Sequence, residues 1–240
     1  MSSRADIEPP PSGLDGGSAL DLHLWKLPRG RHGLPPELVA RSQRERLLAA
    51  VVRVAAGKGY LACSVADILK AAGVGRESFY RHFSDKEDCF IAANDMLVDN
   101  LERRVAEAYE EPGTWTERVR CSLAATLAWL AANPDVARVM IIEMGTVGPI
   151  ASVRFGQTLT RLTAVLDDCP DTLGSAPGLP NIASIAAGAV FASVYDKVVS
   201  GNTAELAELL PQLTYELLLP YVGDEAASAE RAMATEQAEL

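Results

Sequence analysis

The stretch that decides the fold runs from Ser64 to Phe90 and reads SVADILKAAGVGRESFYRHFSDKEDCF. Its first part predicts a short helix, because Ser64 is a good N-cap with Asp67 three residues later. An apolar stripe follows at helical spacing. Gly73–Gly75 ends this helix after about two turns, and a second short helix is predicted from Arg76 to Phe83. A helix, a tight glycine-containing turn and a second helix form a helix-turn-helix.

The second helix of this motif has one polar, basic and aromatic face. Phe79 and Phe83 lie one turn apart and are predicted to point into a small core, so the opposite face is free to enter a DNA major groove. Lys86 lies in the first turn of the next helix, where backbone amides bind phosphate. Two alternatives stay open: that Tyr80 is a packing aromatic, and that His82 is an ordinary surface histidine. The face predicted to meet DNA consists of Arg76, Glu77, Ser78, Tyr80, Arg81 and His82.

Charge is unevenly distributed along the chain. The 240 residues have a formal net charge of −10, which by itself argues against a nucleic-acid partner. Residues 29–86 nevertheless carry 11 lysines and arginines against 5 acidic residues, whereas residues 87–240 sum to −14. The distribution indicates a basic module attached to an acidic body, although a solvated charged face would give the same sums.

The first 35 residues are rich in Pro, Gly and Ser and have no helical periodicity. We predict a disordered arm. Its end contains Arg29 and Arg31, which either belong to a plain disordered leader or reach a DNA minor groove.

The sequence predicts a cytoplasmic protein without a membrane partner. Residues 1–11 lack a secretory pattern, and no uninterrupted apolar run approaches the roughly 18 residues of a membrane span. The four cysteines, at positions 63, 89, 121 and 169, contain no CxxC pair. We therefore expect no metal site and no cofactor, and assign the cysteines to ordinary packing.

Helix signals follow one another along the rest of the chain, and no alternating strand pattern is present, so the predicted fold is all-α. Pro211 either kinks a helix or begins a second segment. The predicted helices or their starts are a first helix from Pro36 to Ala56, a capping box Ser84–Glu87 opening a helix to Tyr109, a cap at Thr114, a start at Asn133–Pro134 with an end near Gly145, a start at Gly148–Pro149, and helices over 181–199 and 202–221.

The quoted stretch resembles the DNA-binding signature of the TetR (tetracycline repressor) family, and Lys58–Tyr60 matches the usual lead-in. The resemblance is specific over residues 44–97 and only architectural beyond them. It implies that Arg76, Ser78 and Tyr80 approach bases or nearby backbone, and that Ser64, His82 and Lys86 hold phosphates. Where the family commonly has Ser or Thr, this chain has Gly75, which removes one expected contact.

The acidic body is predicted to dimerise and to hold a small molecule, as the resemblance implies. A small-residue face in 181–199 and a leucine stripe in 206–217 suit a four-helix interface between two copies; packing within one chain would use the same residues. The interface candidates are Ala186, Ala189, Leu206, Leu210, Leu213 and Leu217. The candidates for an apolar ligand pocket are Leu101, Thr126, Leu127, Leu130, Met140, Met144, Phe155, Leu159 and Tyr195.

The expected organisation is an arm over 1–35, a helix-turn-helix module over 36–87, a ligand-binding and dimerisation domain over 88–222, and an acidic tail over 223–240. The expected function is a homodimeric transcriptional repressor, released from a palindromic DNA operator by an apolar or amphipathic effector. A ligand-blind regulator or an activator is the alternative. An enzyme is disfavoured because no catalytic motif is recognisable, and the −14 body opposes a sequence-neutral DNA binder. A further alternative, an interaction module that has lost DNA binding, is supported by Gly75 alone.

Overall fold

The computed structural model describes residues 35–170 and 182–238. This part of the chain contains helices and no strand, which confirms the all-α prediction. The predicted arm, up to residue 34, lies outside the described residues. The helices are α1 Pro36–Lys58, α2 Val65–Ala72, α3 Arg76–His82, α4 Lys86–Tyr109, α5 Trp115–Ala132, α6 Pro134–Ile141, α7 Pro149–Leu162, α8 Ala164–Asp167, α9 Ile182–Val199 and α10 Leu210–Ala238, with 3-10 helices at Glu143–Thr146 and Thr203–Leu209.

The helix-turn-helix is built as the sequence predicts. The predicted capping box is present: the Ser64 side chain accepts a hydrogen bond from the Asp67 amide, and the Asp67 carboxylate accepts one from the Ser64 amide. Gly73 ends α2 in the left-handed conformation, with φ 61°. A Cβ atom there would lie 2.8 Å from the Arg46 guanidinium, which donates to the carbonyls of Ala72 and Gly73. Glycine is therefore favoured at this turn by its left-handed conformation, and a side chain there would also displace the Arg46 guanidinium from its two carbonyl partners.

Helix α4 belongs to both parts of the molecule. It begins beside the helix-turn-helix and continues into the body, so the predicted boundary at 87/88 falls in its first turn. The predicted capping box of Ser84 and Glu87 is wrong by one residue. Asp85 is the N-cap and accepts from the Asp88 amide at 2.9 Å, while Ser84 donates to the Asp88 carboxylate. The pairing shifts because Asp85, in extended conformation, occupies the cap position.

Helix α5 lies at the centre of the body, where it packs against α4, α10 and the 3-10 helix Thr203–Leu209, and α6 packs against α1 of the DNA-binding module. The capping box of α5 at Thr114 and Glu117 is as predicted. Helix α6 ends at Ile141, four residues before the predicted end, and a tighter 3-10 helix replaces its last turn.

The chain end is a helix and not the predicted acidic tail. Pro211 lies in the first turn of α10, so it begins a second segment after the 3-10 helix Thr203–Leu209. Gly223 kinks α10 with φ 76°, and the part beyond it packs on α5. There, the largely buried Arg120 guanidinium pairs with the Glu230 carboxylate at 2.9 Å and also contacts Gln237. Acidic composition suggested a solvated tail, but the apolar positions Ala227 and Ala234 are fully buried.

Candidate functional site

Helix α3 exposes the side chains predicted to read DNA. Phe79 is fully buried, and its ring lies 5.8 Å from that of Phe83 in the module core. On the opposite face Tyr80 is 50% exposed. The Arg76 guanidinium lies 6.0 Å from the centre of the Tyr80 ring, so the two predicted base-reading groups are neighbours. Ser78 is half-buried at the edge of this face.

Helix α3, the predicted recognition helix, also has an exposed ion pair and an N-terminus without a side-chain cap. Glu77 and Arg81 are exposed and lie 3.3 Å apart, one turn from each other. Gly75 occupies the N-cap and supplies no side-chain hydrogen bond. The first amides of α3 are therefore left without a side-chain partner at the end of the helix that attracts anions.

The predicted phosphate contacts differ in their availability. Ser64 is exposed but already engaged in its capping box. The Nε2 atom of His82 is buried without a hydrogen-bond partner, and burial, with smaller contributions from Arg44 and Arg81, lowers the pKa of this imidazole. The phosphate contact by His82, like the one by Ser64, stays a prediction.

Lys86, at the start of α4, contacts Tyr60 of the DNA-binding module. Its Nζ atom donates to the Tyr60 carbonyl at 3.0 Å and lies 4.1 Å from the centre of the Tyr60 ring. An ammonium group has three donors, so this arrangement leaves protons for a phosphate while fixing where the charge is held.

Tyr60 connects two elements of the structure, and the sequence analysis did not identify it. Its ring, 5% exposed, lies 4.6 Å from that of Phe90 on α4. Its amide donates to the Glu143 carboxylate at 2.8 Å. One residue thus contacts α4 and the 3-10 helix that follows α6.

Glu143 is an acid buried in the body, 4% exposed. It accepts the Tyr60 amide and pairs with the Arg138 guanidinium at 3.1 Å, which compensates for the desolvation of its charge. A signal for it existed in the sequence, because it is the single acid within the apolar run Val139–Met144.

A cavity of about 640 Å³ lies in the body between α4, α5, α6, α7 and α9. Leu127, predicted for the pocket, does not line it; the side chain is fully buried in the core on another face of α5. Helical spacing could not decide between neighbouring faces of the same helix. The structure brings the other predicted ligand contacts together around the cavity: Leu101, Thr126, Leu130, Met140, Met144, Phe155, Leu159 and Tyr195.

The cavity wall is mostly apolar, and no acidic, basic or histidine side chain from the described residues lines it. Four lining hydroxyls are used within the protein. Ser122 donates to the Val105 carbonyl, Thr126 to the Ser122 carbonyl at 3.0 Å, Thr146 to the Glu143 carbonyl, and Thr163 to the Leu159 carbonyl at 2.8 Å. The lining therefore suits an uncharged apolar group.

Helix α7 forms an outer wall of the cavity. It is held to α4 by ion pairs on the solvent side, in which Arg154 lies 3.2 Å from Asp95 and Arg161 lies 3.1 Å from Glu102. These pairs are partly exposed, and pairs of this kind contribute little to stability. On the inner side the Phe155 ring contacts that of Phe191 at 4.5 Å.

The predicted dimer interface is corrected in part. Leu206, Leu210, Leu213 and Leu217 are at most 8% exposed, as is Ala186, and pack in the chain's own core. They are unavailable to a second copy. An apolar stripe at helical spacing does not show which neighbour covers it. Of the predicted set, Ala189 is exposed.

A different stripe on α9 is uncovered. Ile185, Tyr195 and Val199 are 69%, 43% and 52% exposed, and the small residues Gly188 and Ala192 between them are exposed as well. Small residues allow close approach of another helix, so this surface, with Leu219 of α10 at 37% exposure, is an unpartnered apolar face.

Helix α9 is also long and apolar enough to cross a membrane by length and composition alone, with a mean hydropathy of 1.5. The sequence expectation concerned uninterrupted apolar runs, and the run in α9 is interrupted by charged residues before it reaches this length. Its sequence includes Asp196 and Lys197, and 22% of the helix is buried. Core helices of soluble proteins meet the same length and composition criteria.

The cysteines are reduced and dispersed. Cys63 and Cys89 are buried, and Cys121 and Cys169 are half-buried. Burial raises the pKa of the Cys89 thiol to about 12, which makes it unreactive. In the described ranges no cluster of three potential metal ligands occurs.

The helix-turn-helix and its surroundings match a known family: bacterial regulatory proteins of the tetR family, over residues 47–93. This match confirms the resemblance drawn from Ser64–Phe90, and the matched segment contains the whole surface of α3 and the start of α4. Residues 47–93 are thus similar to the DNA-binding helix-turn-helix of tetR-family regulatory proteins.

A curated relative is the HTH-type transcriptional activator FasR of Mycolicibacterium smegmatis, 31% identical over 100 residues. The match covers 42% of this chain and 46% of the relative, so the chain spans about half the length of that protein.

Two solved structures share the fold over most of the chain. The fatty acid degradation regulator FadR from Bacillus halodurans is 21% identical with a TM-score of 0.64, covering 72% of this chain and 97% of that one. FadR from Bacillus subtilis, solved in complex with stearoyl-CoA, is 22% identical with a TM-score of 0.62, covering 74% and 97%. Identities this low show likeness of fold.

Proposed function

We propose that this protein is a cytoplasmic, homodimeric tetR-family repressor that leaves its DNA operator when an apolar or amphipathic ligand fills the body cavity. The observation that carries the proposal is the pair of connections from that cavity to Tyr60. The recognition helix α3 and the cavity are on different parts of the chain, so a signal between them needs a physical link.

The first connection is α4. Residues on one face of this helix line the cavity, and one turn before them Phe90 packs on the Tyr60 ring. Lys86, at the start of the same helix, holds the Tyr60 carbonyl and ring. A ligand that shifts α4 would therefore move a phosphate-binding candidate and its support together.

The second connection is the 3-10 helix after α6. Met144 and Thr146 line the cavity, and Glu143, next to Met144, holds the Tyr60 amide. A ligand that displaces this short helix would also displace Tyr60, through the hydrogen bond between its amide and the Glu143 carboxylate. A ligand shifts an equilibrium to the extent that it prefers one arrangement of these contacts.

Dimerisation is supported by the uncovered face of α9. A second copy placed on Ile185, Ala189, Ala192 and Val199 by a two-fold axis would bury them against their own equivalents. Two recognition helices would then face one duplex, and the operator would be an approximate palindrome with half-sites about one helical turn, or a simple multiple, apart.

The ligand class is suggested by the lining and by the neighbours. Among the described residues none with a charged side chain lines the cavity, and one structure of similar fold is described with stearoyl-CoA. An acyl thioester has an apolar chain that could occupy this volume, with the charged nucleotide outside it. We propose a long-chain acyl thioester or a molecule with a comparable neutral acyl part.

The test is a footprint of the purified protein on the promoter region beside its own gene, followed by titration of the bound fragment with stearoyl-CoA. Protection of a palindromic site and its loss on addition of stearoyl-CoA are expected. Light scattering at micromolar concentration should show a dimer. A monomer with an asymmetric footprint, or a protected site indifferent to acyl thioesters of all chain lengths, would contradict the proposal.

A second candidate is an activator, because the matched relative is described as a transcriptional activator. The same titration separates the two. A ligand that strengthens binding to the protected site, and a site placed upstream of the promoter elements, would favour activation over repression.

A further inference from the structure

The cavity has one polar side chain that stands apart from the rest of its lining. Asn94 lies on α4, is 4% exposed, and lines the cavity. Its neighbours on this face of the helix are apolar, namely Phe90, Val98, Leu101 and Val105. A buried amide in an apolar stripe is costly unless it has a partner.

The amide of Asn94 has no hydrogen-bond partner among the described residues, in contrast to other polar lining groups. The hydroxyls of Ser122, Thr126, Thr146 and Thr163 each donate to a backbone carbonyl. Thr158 is only half-buried, and Tyr195 is 43% exposed to solvent. Asn94 is therefore the buried polar group whose bonding capacity is directed into the cavity.

We infer that Asn94 recognises a neutral carbonyl group, such as that of an ester, thioester, amide or lactone, in the ligand that fills the cavity. The inference rests on the proposed function and deepens it. The Asn94 amide can donate two hydrogen bonds, which a carbonyl oxygen accepts. A carboxylate is disfavoured because no basic side chain of residues 35–170 and 182–238 lines the cavity, and an unpaired buried charge is far more costly than a neutral dipole.

The position of Asn94 also orients the ligand. It is the first cavity-lining residue of α4, one turn after Phe90, and Val98, Leu101 and Val105 follow it along the helix. This apolar wall is about 16 Å long, at 1.5 Å of rise per residue. The carbonyl would lie at the end of the wall nearest the DNA-binding module, and an acyl chain would extend away from it.

The test measures ligand preference by displacement of the neutral fluorophore phenylnaphthylamine. The competitors are methyl dodecanoate, dodecanol, dodecyl chloride and dodecanoate. The protein should bind methyl dodecanoate about tenfold more tightly than dodecyl chloride, as expected for one buried hydrogen bond. Dodecanoate should bind more weakly than its methyl ester at pH 8, where it is charged.

Asn94→Leu, which keeps the volume and removes the amide, should bind the ester and the chloride within about twofold of each other. Asn100→Leu is the matched control. It makes the same substitution on α4, but Asn100 does not line the cavity and its amide already donates to the Met96 carbonyl, so the tenfold preference should remain. If the leucine variant does not fold, Asn94→Ala makes the same comparison.

The outcomes separate this inference from the proposed function. Equal binding of ester and chloride by the unchanged protein, or a preference that survives in Asn94→Leu, overturns the role of Asn94 while ligand binding stands. Tighter binding of dodecanoate or dodecanol than of the ester overturns the carbonyl assignment. If neither fluorophore nor competitor binds, the cavity is not an effector site, and both proposals fail.

Discussion

The two ends of α4 lie in regions that are packed in different ways. Around the helix-turn-helix, Phe79, Ile68 and Val51 are fully buried in one core. At the other end α4 faces a cavity, and the opposite wall is α7, whose described residues are exposed or half-buried except Ala151. The first region holds a single geometry for reading DNA. In the second region, α7 can move toward or away from a bound ligand without disrupting a tightly packed core.

Truncation of an aromatic ring should affect the two regions very differently, and this is the largest effect we expect. Phe79→Ala removes a fully buried ring and should lower the free energy of unfolding by about 3–5 kcal/mol. Phe155→Ala removes a ring that is 36% exposed and contacts Phe191, and should cost about 1 kcal/mol. Urea unfolding measures both. Equal losses would mean that the cavity wall is as tightly packed as the module.

Substitutions on the recognition helix should affect DNA binding without affecting ligand binding. Arg76→Ala and Tyr80→Ala should each reduce specific binding by about 1–3 kcal/mol, because each removes a predicted base contact. Lys86→Ala should weaken binding to any duplex alike and reduce the salt slope by about one unit. Anisotropy with the protected site and a scrambled duplex distinguishes the two classes. Unchanged affinity in Arg76→Ala and Tyr80→Ala would remove the assignment.

The junction between the regions can be tested at Glu143. Glu143→Ala removes the acceptor of the Tyr60 amide, and the effect of ligand on DNA affinity should shrink. Couplings of this kind are about 5- to 150-fold; we expect the alanine variant to retain less than a third of the wild-type factor. Glu143→Gln keeps an oxygen acceptor and should retain most of it.

The measurement is DNA affinity with and without a saturating ligand in the two Glu143 variants. Full coupling in the alanine variant would show that the signal does not pass through the 3-10 helix. Loss of ligand binding itself would place Glu143 in the cavity structure and not in the connection.

The smallest effect concerns the exposed cap of α2. Hydrogen bonds from Lys58 and Ser64 lower the pKa of Asp67 to about 2. Since the folded pKa is below the ordinary value of 3.8, the carboxylate stabilises the fold fully above pH about 4 and loses this effect as pH falls through about 2. The melting temperature of Asp67→Asn should therefore approach that of the unchanged protein on acidification from pH 5. A constant difference would contradict the cap's electrostatic origin.

Most of the DNA-binding module could be predicted from sequence, because its determinants are local. The capping box of Ser64, the turn at Gly73 and the alternation of Phe79 with polar neighbours are each encoded within a few residues. The failed cap at Ser84 shows the limit of this reasoning. Adjacent Ser and Asp both satisfy the pattern, and backbone conformation chose Asp85.

The sequence predicted the helices of the body but not which surfaces pack against one another. The apolar stripes of α5 and α7 were recognised, and eight of the nine residues assigned to the pocket line the cavity, whereas Leu127 points elsewhere. The leucines of 206–217 cover the chain's own core because nothing local distinguishes an internal neighbour from a second copy. Tyr60 and Glu143 are 83 residues apart, so no local pattern could pair them.

The helix beyond Gly223 has a consequence for the gene itself. A nonsense mutation at codon 224 would remove Glu230 and Gln237, which hold the Arg120 guanidinium in a site that is about nine-tenths enclosed. A buried charge that loses its partner costs about 3–5 kcal/mol, comparable with much of the stability of a typical domain. Late truncations should therefore behave as null alleles, and under the proposed repression the regulated genes would then be expressed constitutively.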